Sequence, residues 1–233
     1  MINTVSKNIR LILLVCIFFI SGTSAWSQRY YSPNVTIGGK AGVTMSSMGF
    51  SPSVRQSMEQ GMMMGLTFRY TEEKTFGLIA ELNFMQQGWK EDFEELPLSY
   101  SRKLTYIQIP ILTHIYFGSN KFKGFVNLGP SVSYMISEST NANFDYEHTS
   151  SVPDFPRNRM TEQLYTPVAN KMDYGISGGA GIELFINKHN SIVIEGRYYY
   201  GLGNIFPSSK ADTFAASRNS CIQITIGYNF RVK

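Results

Sequence analysis

Residues 221–232 alternate without a break. Ile222, Ile224, Ile226, Tyr228, Phe230 and Val232 fall on one face, and Gln223, Thr225, Gly227, Asn229 and Arg231 on the other. Successive side chains of a strand point to opposite sides, so this segment has one wholly apolar face and one that is polar or small. A strand of that kind needs lipid or a core on one side only.

Seven earlier segments repeat the pattern, at 35–44, 61–70, 76–89, 104–117, 125–136, 172–186 and 191–200. In the second, Met62, Met64, Leu66, Phe68 and Tyr70 oppose Gly65, Thr67 and Arg69; in the fourth, Ile107, Ile109, Ile111, Ile115 and Phe117 oppose Tyr106, Gln108 and His114. Each is near the nine to eleven residues, roughly, that a tilted strand needs to cross a bilayer. The connections alternate in length. Those at 71–75, 118–124 and 187–190 are short, and those at 45–60, 90–103, 137–171 and 201–219 are long. Short periplasmic turns and long outside loops are the asymmetry of an outer-membrane barrel, and an even strand count leaves both termini in the periplasm. The stretch 137–171, with Pro153, Pro156 and Pro167, is expected to be a mobile external loop.

The N-terminus reads as an export signal. Lys7 and Arg10 precede an apolar run at 11–20, small residues follow, and Ala25-Trp26-Ser27 offers a cleavage site. Cleavage after Ser27 leaves one barrel domain at 28–233 and lowers the formal charge from +4 to +2, since Lys7 and Arg10 depart. A balance that small is no argument for nucleic acid. Cys16 follows Val15 inside the apolar run, a poor context for lipidation. Cys221 then stands alone, so no internal disulfide forms, and the three histidines make no Cys/His cluster with metal-ligand spacing. No metal or cofactor is expected. After the signal no apolar run approaches the ~18 residues of a spanning helix, so any crossing is made by strands.

Alternation does not say which face is inside. A soluble lipocalin-like lipid carrier would turn the apolar face inward around a pocket. Three features favour lipid outside. The apolar face carries no charge in the strand cores, the polar face is rich in Gly, Ser, Thr and Asn, and Tyr70, Phe76, Phe117, Tyr228 and Phe230 cluster near the short turns as an interfacial girdle. Thr225, Gly227, Phe230 and Val232 also resemble the C-terminal signal by which outer-membrane barrels are recognised for assembly. The expectation is therefore an all-β, eight-stranded antiparallel up-and-down transmembrane β-barrel in the outer membrane, preceded by a cleavable signal peptide. Its last strand pairs with its first.

Three stretches carry a resemblance to a family. Glu81-Leu82 with Gln86-Gln87-Gly88, Tyr106-Ile107-Gln108-Ile109-Pro110, and Asn127-Leu128-Gly129-Pro130 resemble the P-E-L-x-Y-x-x-x-G, Y-L-E-I-P and G-P segments of the PorT-like outer-membrane barrel proteins of Bacteroidetes. The likeness runs from about Ile37 to Phe230. It departs at Ala80, where the family has proline, and at Gln108, where it has glutamate. It implies the outer membrane and an eight-stranded barrel. PorT is associated with protein secretion, so the resemblance makes secretion-complex partners a second expectation.

If the apolar face meets lipid, Lys40, Arg69, Glu81, Glu183, Glu195, Arg197 and Arg231 point into the bore. The interior of eight strands is just wide enough for side chains to fill, so these charges should pair and plug it. Catalysis is the competing reading. It needs a histidine near the outer leaflet with a hydroxyl and an acid, and only His148 beside Glu147, Ser150 and Ser151 qualifies. A flexible loop is a poor scaffold for that chemistry. Pro110 and Pro130 lie within adjacent strands and are expected to mark bulges. The role expected is non-enzymatic: structural, adhesive or accessory to an envelope complex, with outer-membrane lipid and the barrel-assembly machinery as partners.

Overall fold

The computed structural model describes residues 33–71, 75–94, 96–210 and 212–232. The signal segment 1–27 lies outside them. The alternating segments become β1 (Asn34–Ser51), β2 (Glu59–Thr71), β3 (Phe76–Glu91), β4 (Tyr100–Gly118), β5 (Phe122–Ala142), β6 (Met172–Phe185), β7 (Asn190–Gly201) and β8 (Ala216–Arg231). Each pairs antiparallel with its sequence neighbours, and β8 returns to β1 from Thr36↔Arg231 to Ser51↔Ala216. Closure leaves no unpaired edge, the condition on which strands can stand in hydrocarbon.

The ring resolves which face is inside. Leu66 is 66% exposed and Ile109 50%, whereas Asn83 and Gln108 are at 0%. The aliphatic rows point outward on every strand, and the soluble carrier with an apolar pocket is overturned. Such a continuous apolar exterior is a membrane surface. Phe76, Phe117, Tyr228 and Phe230 stand outward near the short turns, and Tyr134, Tyr174, Tyr198 and Tyr200 form a second outward aromatic set toward the long connections.

At the long-connection end the strands run further than their apolar pattern. Their inward positions there are aromatic and aliphatic rather than polar. Met48, Phe50, Trp89, Tyr100, Tyr106 and Tyr199 meet Ile205, Phe206 and Phe214 of the 202–215 connection in one buried core. Phe50 and Phe206 both meet Trp89 edge to face, at 5.4 and 6.1 Å between ring centroids. The stretch expected to be a mobile loop packs onto this core. After β5 it carries a 3-10 turn (Thr149–Ser151) and a four-residue helix, α1 (Glu162–Tyr165), whose Leu164 is buried. Tyr100 Oη donates to the Leu164 carbonyl at 2.7 Å, and Arg102 Nη1 to that of Thr166 at 2.7 Å. Arg159 Nη2 reaches the buried Glu91 carboxylate at 2.7 Å. This end of the barrel is corked.

Pro110 and Pro130 do not mark bulges. Pairing of β3 with β4 stops at Ala80↔Ile111 and resumes at Asn83↔Gln108 in the same register; β4 with β5 does likewise between Pro110↔Ser131 and Thr113↔Leu128. Each proline withholds one ladder donor without adding a residue. The register slips instead at Thr105/Tyr106, where Thr105 faces Ser137 and Tyr106 faces Met135, leaving Ile136 as the extra residue.

Candidate functional site

Below the cork, the bore is filled by charge. β1 supplies Lys40, β3 Glu81, and β7 both Glu195 and Arg197, two residues apart and therefore on one face. Arg197 grips Glu81 with Nη1 to Oε2 at 2.8 Å and Nη2 to Oε1 at 2.9 Å, and its Nη2 also holds both oxygens of Glu195 at 2.9 Å. Lys40 Nζ donates to Glu81 Oε2 at 2.7 Å and lies 3.9 Å from Glu195. Two cations face two anions, so the quartet is neutral. A second pair, Arg69 to Glu183, is bidentate at 2.9 and 2.7 Å, with Ser191 Oγ donating to Glu183 at 2.6 Å. Such fork-to-fork contacts are among the stronger ones available to buried charge.

Arg231 does not join them. Its guanidinium carbon stands 6.0 Å from the Phe185 ring, near Lys123, which lies over Tyr116 at 4.3 Å. Both cations sit at the short-turn mouth on aromatic faces. Of the C-terminal signal residues, Thr225 turns inward, Gly227 sits opposite Lys40, and Phe230 and Val232 face outward.

The network contains neutral members that charge counting could not reveal. Asn83 Nδ2 donates to Glu81 at 2.9 Å, and Asn127 Nδ2 to Glu195 at 2.7 Å. Because the Asn127 amide nitrogen is so used, its oxygen accepts from His114 Nδ1 at 2.7 Å, which fixes the histidine's tautomer. His114 is buried between Tyr116 and Phe125. Inward parity places Asn83, Asn127 and His114 on the right face. Pairing across 68 residues is not visible in sequence. The open volume inside this layer is about 30 Å³, room for about one or two waters.

The long-connection end holds a wider hollow of about 850 Å³, lined by Val54, Arg55, Phe93, Leu96, Arg159 and Met160. His148 is exposed there. Its Nδ1 faces Asp145 Oδ2 at 3.1 Å, and Ser151 Oγ donates to its carbonyl oxygen, not to its ring.

A closed ring of eight antiparallel strands, oily outside and ion-paired inside, defines an integral β-barrel membrane protein. The chain belongs to the family described as "Outer membrane protein beta-barrel domain", which it matches over residues 26–207, and it is an outer-membrane protein. Among solved structures it is similar to the outer membrane protein OprG from Pseudomonas aeruginosa, at 15% identity and a TM-score of 0.52, covering 87% of this chain and 96% of that one. It is also similar to Neisserial surface protein A, at 10% identity, 84% and 97% coverage and a TM-score of 0.45. A third is the outer membrane enzyme PagL, at 11% identity, 81% and 97% coverage and a TM-score of 0.41. These likenesses bear on the fold alone. No curated protein matches the sequence.

Proposed function

We propose that the protein is a closed, non-enzymatic barrel of the outer membrane, acting as a structural or adhesive element or as an accessory of an envelope complex. The observation that carries this reading is the double obstruction of the bore. The neutral ion-paired layer leaves about 30 Å³, and the aromatic core with Leu164, Ile205, Phe206 and Phe214 stops the other end. A plugged barrel offers partners its rim and connections rather than a channel. The asymmetry of short and long connections supports placing the long ones outside and both termini in the periplasm. The non-enzymatic part is supported by Ser151, whose hydroxyl donates to the backbone carbonyl of His148 and not to its ring, so the His148–Asp145 contact is not extended to that serine. Bilayer lipid and the assembly machinery that reads Thr225, Gly227, Phe230 and Val232 are the partners this reading requires.

Reconstitution in planar bilayers tests it. The expected trace has no stepwise opening of porin size, and regular steps of that size contradict the reading. The PorT-like segments at Glu81-Leu82, Tyr106–Pro110 and Asn127–Pro130 support a second reading, membership of a secretion complex. Pull-down from detergent-solubilised membranes separates the two, since only the second recovers secretion-machinery proteins.

A further inference from the structure

Two grooves cross the apolar exterior where β1, β2 and β3 lie side by side. The floor of the first is the paired row Gly38, Thr67 and Glu81, and that of the second is the next row, Lys40, Gly65 and Asn83. Lys40, Glu81 and Asn83 turn their polar side chains into the bore, so both floors present backbone. Leu66 and Leu82, paired across β2 and β3, stand between the grooves as a ridge. The grooves open where Gly39 and Ala80 occupy outward positions among Ile37, Leu66, Phe68, Leu82 and Phe84. Their volumes are about 610 and 410 Å³. The first runs from Phe230 on β8 to Ala80 on β3, across four strands or about 14 Å.

We infer that these grooves form a specific seat for the acyl chains of a membrane lipid, with the two chains straddling the Leu66–Leu82 ridge. The outer walls are Ile37, Phe68 and Phe230 on one side and Met64 and Phe84 on the other, with Tyr228 in the ridge row opposite Gly39, so hydrocarbon, not a headgroup, is what they match. The seat is continuous with the outward aliphatic rows that already face acyl chains, and its occupant comes from that layer. Fourteen ångströms accommodates roughly eleven extended bonds at about 1.2 Å each. Within a bilayer no hydrophobic force favours one wall over another, so retention follows from dispersion contacts and shape. A chain seated between the ridge and a wall makes more such contacts than one against a smooth wall.

The test fills the seat. A Cβ at Gly39 meets nothing nearer than the Gly65 carbonyl oxygen at 3.8 Å, so Gly39→Leu enters the groove without straining the wall. Gly196 is the control, another exposed glycine whose Cβ would meet nothing within 4 Å. Ala80→Leu, filling the other end of the first groove, is the second variant. Each barrel is reconstituted with phosphatidylethanolamine carrying a photoactivatable diazirine in its acyl chain, and adducts are mapped by mass spectrometry. Adducts should concentrate on Leu66, Leu82 and their neighbours, and fall roughly fivefold in the two filled variants, as the loss of about ten carbon–carbon contacts implies. Gly196→Leu should label like the parent. Even labelling around the ring, equal labelling in all four proteins, or a second copy of the chain cross-linked at Leu66 and Leu82 overturns the proposal.

Discussion

Replacing Arg197 by methionine probes the ion-paired layer at its centre. Its guanidinium touches both oxygens of Glu81 and both of Glu195, and its side chain is 2% exposed. Without it, two enclosed carboxylates share Lys40, and the quartet passes from neutral to a net charge of −1. Removing one partner of a buried pair costs about 3–5 kcal/mol, because the charge left behind keeps its desolvation penalty. Lys40 already lies 3.9 Å from Glu195 and can relieve part of that loss, so about 3–4 kcal/mol is expected. The double variant Arg197→Met with Glu195→Gln restores neutrality and should recover half or more of it. Urea unfolding in lipid vesicles, followed by the fraction of faster-migrating folded band in unheated gels, measures both. A single variant within about 1 kcal/mol of the parent, a change typical of uninvolved positions, would refute the reasoning. So would a double variant no more stable than the single.

Three further outcomes follow from the same geometry. Ile109→Lys, on the outward row of β4, should lose about 2–4 kcal/mol in the same titration, against under about 0.5 for Gln60→Lys at the polar edge of β2. Trp89→Ala removes the ring on which Phe50, Phe206 and Arg102 rest, and should cost about 3–5 kcal/mol while exposing residues 143–161 to limited proteolysis. Gly227→Val should slow recovery of the folded band and cost roughly 1–3 kcal/mol, because its Cβ falls 3.2 Å from both the Gly39 carbonyl oxygen and Lys40 Cβ.

The strands were legible because lipid imposes a strict two-residue period on whatever faces it. Ile107, Ile109 and Ile111 could only be a strand with oil on one side. The upper ends were not legible, because beyond the apolar band neither face needs to be uniform. Ser137, Glu138 and Ser139 are polar on both sides of β5, so its last residues carry no period. Parity found Lys40, Arg69, Glu81, Glu183, Glu195 and Arg197 on the inner face. Which cation meets which anion depends on strands brought together by closure, as when Arg69 meets Glu183, 114 residues away. Arg231 shares their parity but directly precedes the last described residue, at the mouth, where its guanidinium stands against the Phe185 ring. The cork escaped notice for a related reason. Trp89, Tyr106 and Tyr199 stand on the face read as polar, and only the ring shows that this end of the bore is a hydrophobic core.

Tryptophan fluorescence with brominated acyl chains examines the arrangement most directly. Trp26 lies in the expected signal, which leaves Trp89, fully enclosed, as the mature chain's reporter of the interior. In vesicles of brominated lipid its emission should hold steady, whereas a Trp89→Phe, Ile109→Trp protein should be strongly quenched. Quenching of Trp89 with sparing of the residue at 109 would mean that acyl chains meet the face placed inside here.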